Sequence, residues 1–374
     1  MNTLFPALDP IPLPAPVWLF KGLHILTLSL HFIAVEMLLG GLLLAVVLNL
    51  LGRGGDGEVA RCRRNAAAVI GRRLTVLMTY VINLGVPPLL FAQVLYGRAL
   101  YTSSVLIGVY WISVVFLLMA CYWLLYRFTA RLDAGRSAWW VGLPAWLLAG
   151  GIAKILSTNM TLMLRPEVWP GMYAASGAGL HLPPYDPTLL PRWLFMIGGG
   201  LVVGGLWLVW ISGRKTLDTG VRHYLCGLGG RLALVMSVVQ VSLGWWVYQS
   251  QPEPVRAGLT VLPFYHLAGF AWLAVAALLA VMGGWAGFAK PATRAAGWVA
   301  ALGAFLSLAT MTIYRDGIRD VTLAGKGFHV WDQRVETNWS VLILFLVLFV
   351  IGLGALGWLI SVMARSKPVS EKVA

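Results

Sequence analysis

Charged side chains are scarce in this 374-residue chain, in which Asp, Glu, Lys and Arg make up 11% of the residues and hydrophobic residues make up 59%. A soluble domain usually carries about 25% charged residues. So small a charged fraction cannot cover the surface of a globular protein in water, which excludes a soluble fold. Cysteine is also scarce, and Cys62, Cys121 and Cys226 form no C-x-x-C pair. A disulfide framework, a zinc ribbon and covalent haem attachment therefore have no support.

Long apolar runs dominate the rest of the sequence. A transmembrane helix needs roughly 20 apolar residues, and nine runs satisfy this condition: 17–50, 74–97, 104–126, 139–162, 193–213, 224–248, 259–289, 295–314 and 338–363. The first run is too long for a cleavable signal peptide and has no Lys or Arg before Lys21. The sequence predicts an all-α, polytopic membrane helix bundle of about nine transmembrane helices, with residues 1–374 forming one domain.

The basic residues are divided unevenly between the two sides of this bundle. The chain has 28 Lys and Arg against 14 Asp and Glu, and 17 of the basic residues fall in the connections on one side against nine on the other. The positive-inside rule assigns the richer side to the cytoplasm. This predicts an external N-terminus, a cytoplasmic C-terminus and a location in the cell inner membrane. The membrane topology of the chain thus accounts for its net charge of +14. No nucleic-acid partner is expected.

Two outer connections have distinctive compositions. The segment 163–192 is rich in Pro, Gly, Tyr and Trp, which predicts an ordered cap rather than a flexible linker. The segment 315–337 is the most polar stretch of the chain. We expect it to lie outside the membrane as well.

Histidines inside the apolar runs are the first candidates for a functional site, because ionisable groups in hydrocarbon are costly. His24 and His31 are seven residues apart in the first run and so share a helix face, and His266 lies near the outer end of the seventh run. A neutral imidazole in a helix bundle is a natural ligand for haem iron. The alternative for each histidine is a hydrogen bond to a neighbouring helix. We favour haem ligation by the three together.

Three other charges lie within the runs. Glu36 either relays protons from the cytoplasm or pairs with a buried cation. Lys154 pairs with a carboxylate or a haem propionate, or has only a structural role. Arg231 is close enough to the cytoplasmic edge to extend its side chain to water.

The first run resembles the opening helix of the large subunit of cytochrome bd-type quinol oxidases. In KGLHILTLSLHFIAVEMLLGGLLLAVV, His31 follows Lys21 by ten residues, as a haem-ligating histidine follows a basic residue in that family. The nine runs and the external N-terminus match that subunit too. In YQSQPEPVRAGL, Gln251 and Arg256 look like the segment that opens the family's quinol-binding loop. The resemblance implies one to three haem b groups and a quinol or quinone site that includes these two residues.

The chain departs from the family at the low-spin haem. The family ligates that haem through a histidine on the fifth span and a methionine on the seventh. Here Phe195 or Met196 stands at the histidine's position, and His266 is close to the methionine's position. The resemblance therefore implies a swapped pair, Met196 with His266, which keeps one nitrogen and one thioether on the iron. A purely packing role for Met196 is the alternative.

The oxygen-reducing site of the family is the second departure. Its Gly-Arg-Gln-Pro-Trp signature is replaced by LATMTIYRDGIRDVTL, and its paired acidic residues on the third span are missing, since 104–126 contains none. Oxygen reduction is therefore not expected. The replacement segment carries Arg315, Asp316, Arg319 and Asp320 at the expected outer boundary. These charges hold haem propionates, receive a partner protein or form a solvated helix end.

These observations lead to one main hypothesis. The chain is a haem-b-containing membrane subunit of a quinol-dependent oxidoreductase, which exchanges electrons between the quinone pool and another redox protein. That protein is a membrane or peripheral subunit or a c-type cytochrome on the outer face. The alternative is a haem-free, quinone-binding anchor of a peripheral redox complex. A transporter is less favoured because the sequence shows no internal repeat and no paired broken helices.

Overall fold

The computed structural model describes Phe5, residues 11–55 and residues 57–365. These residues form eleven α-helices: α1 Val17–Leu51, α2 Glu58–Leu106, α3 Gly108–Asp133, α4 Trp139–Leu162, α5 Trp169–Ala175, α6 Leu189–Ser212, α7 Thr219–Gln249, α8 Glu253–Val261, α9 Pro263–Ala289, α10 Arg294–Ala324 and α11 Trp339–Arg365. Within the described part of the chain, nine of them are long and apolar enough to cross a membrane. The predicted all-α membrane bundle is confirmed, while the sidedness of the termini stays a prediction.

Helix α1 lies at the centre of the bundle. It packs against α2, α4, α6 and α10, and it is the most buried of the nine long helices. A helix that is apolar on every side is typical of such a position. Helices α3 and α11 lie at the periphery and have the smallest buried share. The polar residues of α1 therefore face protein rather than lipid.

A close approach of two backbones sets the spacing between α1 and α6. A Cβ atom on Gly40 of α1 would overlap the carbonyl oxygen of Gly200 on α6. A Cβ atom on Gly204, one turn further along α6, would lie 3.2 Å from the Cα atom of Gly40. Small residues allow helices to approach in this way inside a membrane. Glycine at these positions brings the central helix against α6.

Three helix boundaries differ from the sequence prediction. The long second helix begins at Glu58 and so includes the arginine-rich residues that were expected in a connection. The seventh run is divided at Leu262 into α8 and α9, and Pro263 occupies the first turn of α9, where its missing N–H costs nothing. The eighth helix continues to Ala324, so the expectation that 315–324 lies in an outer connection is wrong. Asp316, Arg319 and Asp320 are paired within the bundle, whereas Arg315 packs against Phe32.

The connection 163–192 is held against the bundle, as its composition predicts. It contains α5, and the indole nitrogen of Trp169 donates to the carbonyl oxygen of Leu162 at 2.9 Å. Arg165 donates to the carbonyl oxygen of Pro184 at 2.8 Å. At the same end, Leu13 forms an isolated parallel bridge with Val335. The chain before α1 is thereby joined to the chain before α11.

We expect Gly40→Ala to lower the stability of the protein by about 1–3 kcal/mol, the usual cost of forcing extra atoms into a packed contact. The added methyl group overlaps the carbonyl oxygen of Gly200 and must push α1 away from α6. Thermal unfolding in detergent measures the loss. Gly22→Ala is the matched control, because a Cβ atom there meets nothing within 4 Å. Equal stability of the two variants would contradict the proposed packing.

Candidate cofactor-binding cavity

A large cavity is lined by residues of α1 to α4 and of α6 to α10, and it is open where the exposed side chains of Val86, Trp245 and Phe270 form part of its wall. Its volume is about 1130 Å³, whereas a site for one small ligand usually measures about 300–1,000 Å³. Apolar side chains form most of the wall, and a few polar groups converge on it. This composition is typical of a ligand or cofactor site.

The cavity brings together residues from helices that are distant in sequence. The predicted site residues in its wall are His24, His31, Glu36, Met196, His266 and Arg315. Those outside its wall are Lys154, Gln251, Arg256 and Asp316. The lining also includes Arg192 and Arg319.

His31 lies in the cavity wall and packs against α2. Its Nδ1 atom lies near the backbone of Val81, but it is buried without a hydrogen bond of normal geometry. The ring packs against Gly85 of α2, where a Cβ atom would lie 2.9 Å from the imidazole Cε1 atom. Glycine at this position makes room for the ring. An imidazole without a protein partner in a cavity wall is available to an added ligand.

His24 is held by hydrogen bonds on both sides of its ring. Its Nδ1 atom lies 3.0 Å from the carbonyl oxygen of Pro88, and its Nε2 atom lies 3.0 Å from Nη1 of Arg319. Because arginine can only donate, Nε2 accepts, and Nδ1 carries the hydrogen that is donated to Pro88. Both nitrogens are thus engaged in this arrangement. His24 supports the position of Arg319, and metal binding at Nε2 requires that hydrogen bond to break.

His266 and Met196 reach the cavity from α9 and α6. The His266 ring packs edge-on against Phe270, with 4.8 Å between the ring centroids. Met196 also packs against the apolar core around α1. The nitrogen and thioether donors of the implied swapped pair therefore share one cavity.

Arginines are concentrated at one part of the wall. Arg192 donates to Oε1 of Gln251 at 3.2 Å and to Oγ1 of Thr161 at 3.5 Å. The guanidinium group of Arg315 lies 5.7 Å from the ring centroid of Phe32. Neither arginine forms an ion pair with a carboxylate among the residues that the structure describes. Their charge is therefore available to an anionic group in the cavity.

A buried ionic network supports this part of the wall from behind. Nζ of Lys21 lies 2.5 Å from Oδ2 of Asp316 and 2.6 Å from Oδ1 of Asp320. Tyr265 donates its hydroxyl hydrogen to Oδ2 of Asp320 at 2.7 Å, and Lys21 donates to the hydroxyl oxygen of Tyr96 at 3.0 Å. The network joins α1, α2, α9 and α10.

The burial of this network corrects the expected location of its charges. Lys21, Asp316 and Arg319 are each no more than 4% exposed, so they do not form a solvated helix end. Asp316 is also 3.7 Å from Nη1 of Arg319, which lines the cavity. The carboxylate neutralises cations and positions Arg319, and it does not itself reach the cavity wall.

The other predicted residues have partners outside the cavity. Nζ of Lys154 lies 5.9 Å from the ring centroid of Trp193. Gln251 is buried, and its amide nitrogen donates to the carbonyl oxygen of Val247 at 2.9 Å. Arg256 donates to Oε1 of Gln249 at 2.7 Å. The segment predicted to bind quinol thus reaches the cavity wall through Tyr248 and Leu259, whereas Gln251 contacts the wall only through its bond to Arg192.

Arg192 is one of the nine basic residues that the sequence places on the outer side, and the sequence analysis did not predict its position in the cavity wall. Its spacing contained a signal, because Arg192 and Met196 are four residues apart and therefore share a helix face. The same spacing joins Met311, Arg315 and Arg319 on α10, all of which line the cavity. The aromatic wall residues Trp245, Tyr248 and Tyr314 carried no comparable signal.

No family model matches this sequence, and no curated protein matches it. The fold is similar to a chain in the solved structure of bd oxidase from Geobacillus thermodenitrificans, with a TM-score of 0.73 and 12% sequence identity. The similarity covers 96% of this chain and 100% of that chain. At this identity the comparison shows the fold. The bd-oxidase-like helix arrangement implied by the sequence resemblance is therefore confirmed.

Replacing Lys21 with methionine should lower the free energy of unfolding by about 3–5 kcal/mol, because it leaves two buried carboxylates without their shared cation. Thermal unfolding in detergent measures the change. Arg72→Gln is the control, since the pair of Arg72 with Asp133 is exposed and such pairs contribute at most about 1 kcal/mol. Similar losses in the two variants would show that the network does not depend on Lys21.

Proposed function

We propose that this chain is a haem-b-binding membrane subunit that exchanges electrons between the quinone pool and another redox protein. The observation that carries the proposal is the 1130 Å³ cavity inside the bundle, with His31, His266 and Met196 in its wall. The similarity to a bd oxidase chain supports a respiratory role in the cell inner membrane. When bound, haem supplies reversible one-electron transfer.

The donor set of the cavity fits haem better than a small metal ion. No group of three or more His, Cys, Asp or Glu side chains that could hold a metal ion occurs in the described residues. A haem iron needs only one or two protein ligands, and histidine and methionine are common choices. His31 is the first candidate because its Nδ1 atom lacks a hydrogen-bond partner. Met196 and His266 form a second candidate pair, and His24 the weakest candidate.

The arginines fit the carboxylate groups of the same cofactor. Arg192 and Arg315 line the cavity without a carboxylate partner among the described residues. Haem propionates are anions, and arginine is suited to bind carboxylates through paired hydrogen bonds. Arg315 acts by direct contact in this proposal, whereas Asp316 acts through Arg319. Lys154 lies outside the cavity wall, so it contacts a ligand only if that ligand extends beyond the wall.

Quinol chemistry requires proton exchange as well as electron exchange. Glu36 lines the cavity and is the acidic side chain best placed to accept or release a proton there. We propose that Gln251 supports quinol binding by orienting Arg192, to which it is hydrogen-bonded. Arg256 makes its hydrogen bond within the same segment and stabilises the turn before α8. The electron partner is another redox subunit or a c-type cytochrome.

Purified protein should show a Soret band, and the His31→Ala variant should lose a substantial part of it because the iron loses a ligand. The pyridine haemochrome assay measures bound haem b directly. His181→Ala is the control, since that histidine is exposed in the connection before α6. Full haem content in His31→Ala would overturn this ligand assignment, and absence of haem from the wild-type protein would overturn the proposed function.

Arg315→Gln should lower the midpoint potential of the bound haem, because a nearby positive charge favours the reduced form. A loss of about 1.4 kcal/mol corresponds to about 59 mV for one electron. Spectroelectrochemical titration measures the potential. Arg334→Gln removes an exposed arginine outside the helices and serves as the control. An unchanged potential in Arg315→Gln would place this residue away from the haem.

A haem-free quinone-binding anchor is the second candidate function. Its support is the aromatic part of the cavity wall, where Trp245, Tyr248 and Phe270 offer flat surfaces to a quinone ring. The oxidised and dithionite-reduced absorption spectra separate the two functions. A protein without haem that retains quinone on purification would establish the second.

A further inference from the structure

A second, much smaller cavity also has Glu36 in its wall. Its volume is about 20 Å³, and about 10–15 Å³ is enough for one water molecule. Polar side chains from three helices reach it: Glu36 from α1, Ser237 and Gln240 from α7, and Ser307 from α10. The space therefore suits one water molecule with several polar neighbours.

Two of these neighbours are buried polar atoms without a partner. Oγ of Ser237 and Oε1 of Gln240 make no hydrogen bond with the described residues. The amide nitrogen of Gln240 donates to the carbonyl oxygen of Phe195 at 2.9 Å, which fixes the orientation of the amide group. Oε1 is thus held as an acceptor. Buried polar atoms of this kind are usually satisfied by ordered water.

The backbone of α6 makes room for both acidic and amide side chains. A Cβ atom on Gly199 would lie 2.6 Å from Oε1 of Glu36, and a Cβ atom on Gly198 would lie 2.6 Å from Oε1 of Gln240. Any residue with a side chain at these positions would displace the polar group opposite it. The adjacent residues Gly198 and Gly199 therefore leave a recess in α6. This recess holds the side chains of Gln240 and Glu36 from two neighbouring helices.

Glu36 is 2% exposed and forms no ion pair with the described residues. It is also the one titratable side chain in the wall of the small cavity as the structure describes it. The titratable and charged groups that share the large cavity with it are His24, His31, His266, Arg192, Tyr248, Tyr314, Arg315 and Arg319. A buried carboxyl group without a counterion needs a proton or a bound cation to neutralise it.

We propose that Glu36, Ser237 and Gln240 form a hydrated proton-binding site, in which the carboxyl group carries an exchangeable proton and one water molecule bridges the three side chains. Three partners match the usual number for a buried water. Glu36 also lines the large cavity, so the site borders the space in which a quinone or cofactor would bind. The inference concerns a proton and a water molecule and does not depend on haem.

Proton exchange at this site conserves both the number of protons and the net charge. When the carboxyl O–H bond breaks, its proton passes to the bridging water, and a proton from that water or from the large cavity returns to the carboxylate. In D₂O the same sequence replaces the O–H bond by an O–D bond without a change in net charge.

Infrared spectroscopy of the full-length protein in detergent tests the proposal. The carbonyl stretching band of a protonated carboxyl group should be present, shift in D₂O and disappear in Glu36→Gln. Gly199→Ala should shift the band, because the added methyl group displaces the carboxyl group. Ser237→Ala should shift it through the lost hydrogen bond. Gly151→Ala is the matched control, since a Cβ atom there meets nothing within 4 Å.

Three results would overturn the proposal. If Glu36→Gln removes no carboxyl band from the spectrum, Glu36 is ionised in the wild-type protein. A Glu36 band that does not shift in D₂O would mean that water does not reach the carboxyl group. A Glu36 band unchanged by both Gly199→Ala and Ser237→Ala would exclude the recess and the bridging water. None of these results depends on the haem content of the protein. They can therefore be distinguished from a failure of the proposed electron-transfer function.

Discussion

The pairing of Lys21 with Asp316 and Asp320 is the interaction on which the interior of this protein depends. Charges in a membrane are tolerated when they face the bundle and meet a partner. Two carboxylates around one ammonium group join the first long helix to α10. Asp316 also lies 3.7 Å from Nη1 of Arg319, which contacts His24 and faces the cavity. The pairing thus helps to fix the part of the cavity wall that Arg319 and His24 form.

Polar side chains of different chemical types lie in different parts of the cavity wall. Arginines without carboxylate partners lie in one part of the wall, and His31 and Glu36 lie further along α1. A ligand with an anionic end and a coordinating or proton-accepting centre matches this order. Apolar residues form most of the wall between these groups. A large volume with separated polar groups suits a sizeable ligand that makes more than one kind of polar contact.

The sequence predicted the nine membrane helices because each long apolar run is a strong and local signal. It also identified His31, Glu36 and His266, since an isolated ionisable residue stands out in an apolar run. It could not predict that His24 would be engaged by Arg319, because the two residues are 295 positions apart. Nor could it extend α10 through Asp316 and Asp320, whose burial depends on Lys21. Local composition determines the spans, whereas pairing between distant helices determines the cavity.

The central position of α1 has a consequence for the synthesis of the protein. Lys21 leaves the ribosome first, yet its partner Asp320 lies 299 residues later. At about 5–20 residues per second, the interval is roughly 15–60 s. During that time Lys21 lacks both of its carboxylate partners, and His24 lacks Arg319. Helix α10 therefore completes the ionic network around the first long helix late in synthesis.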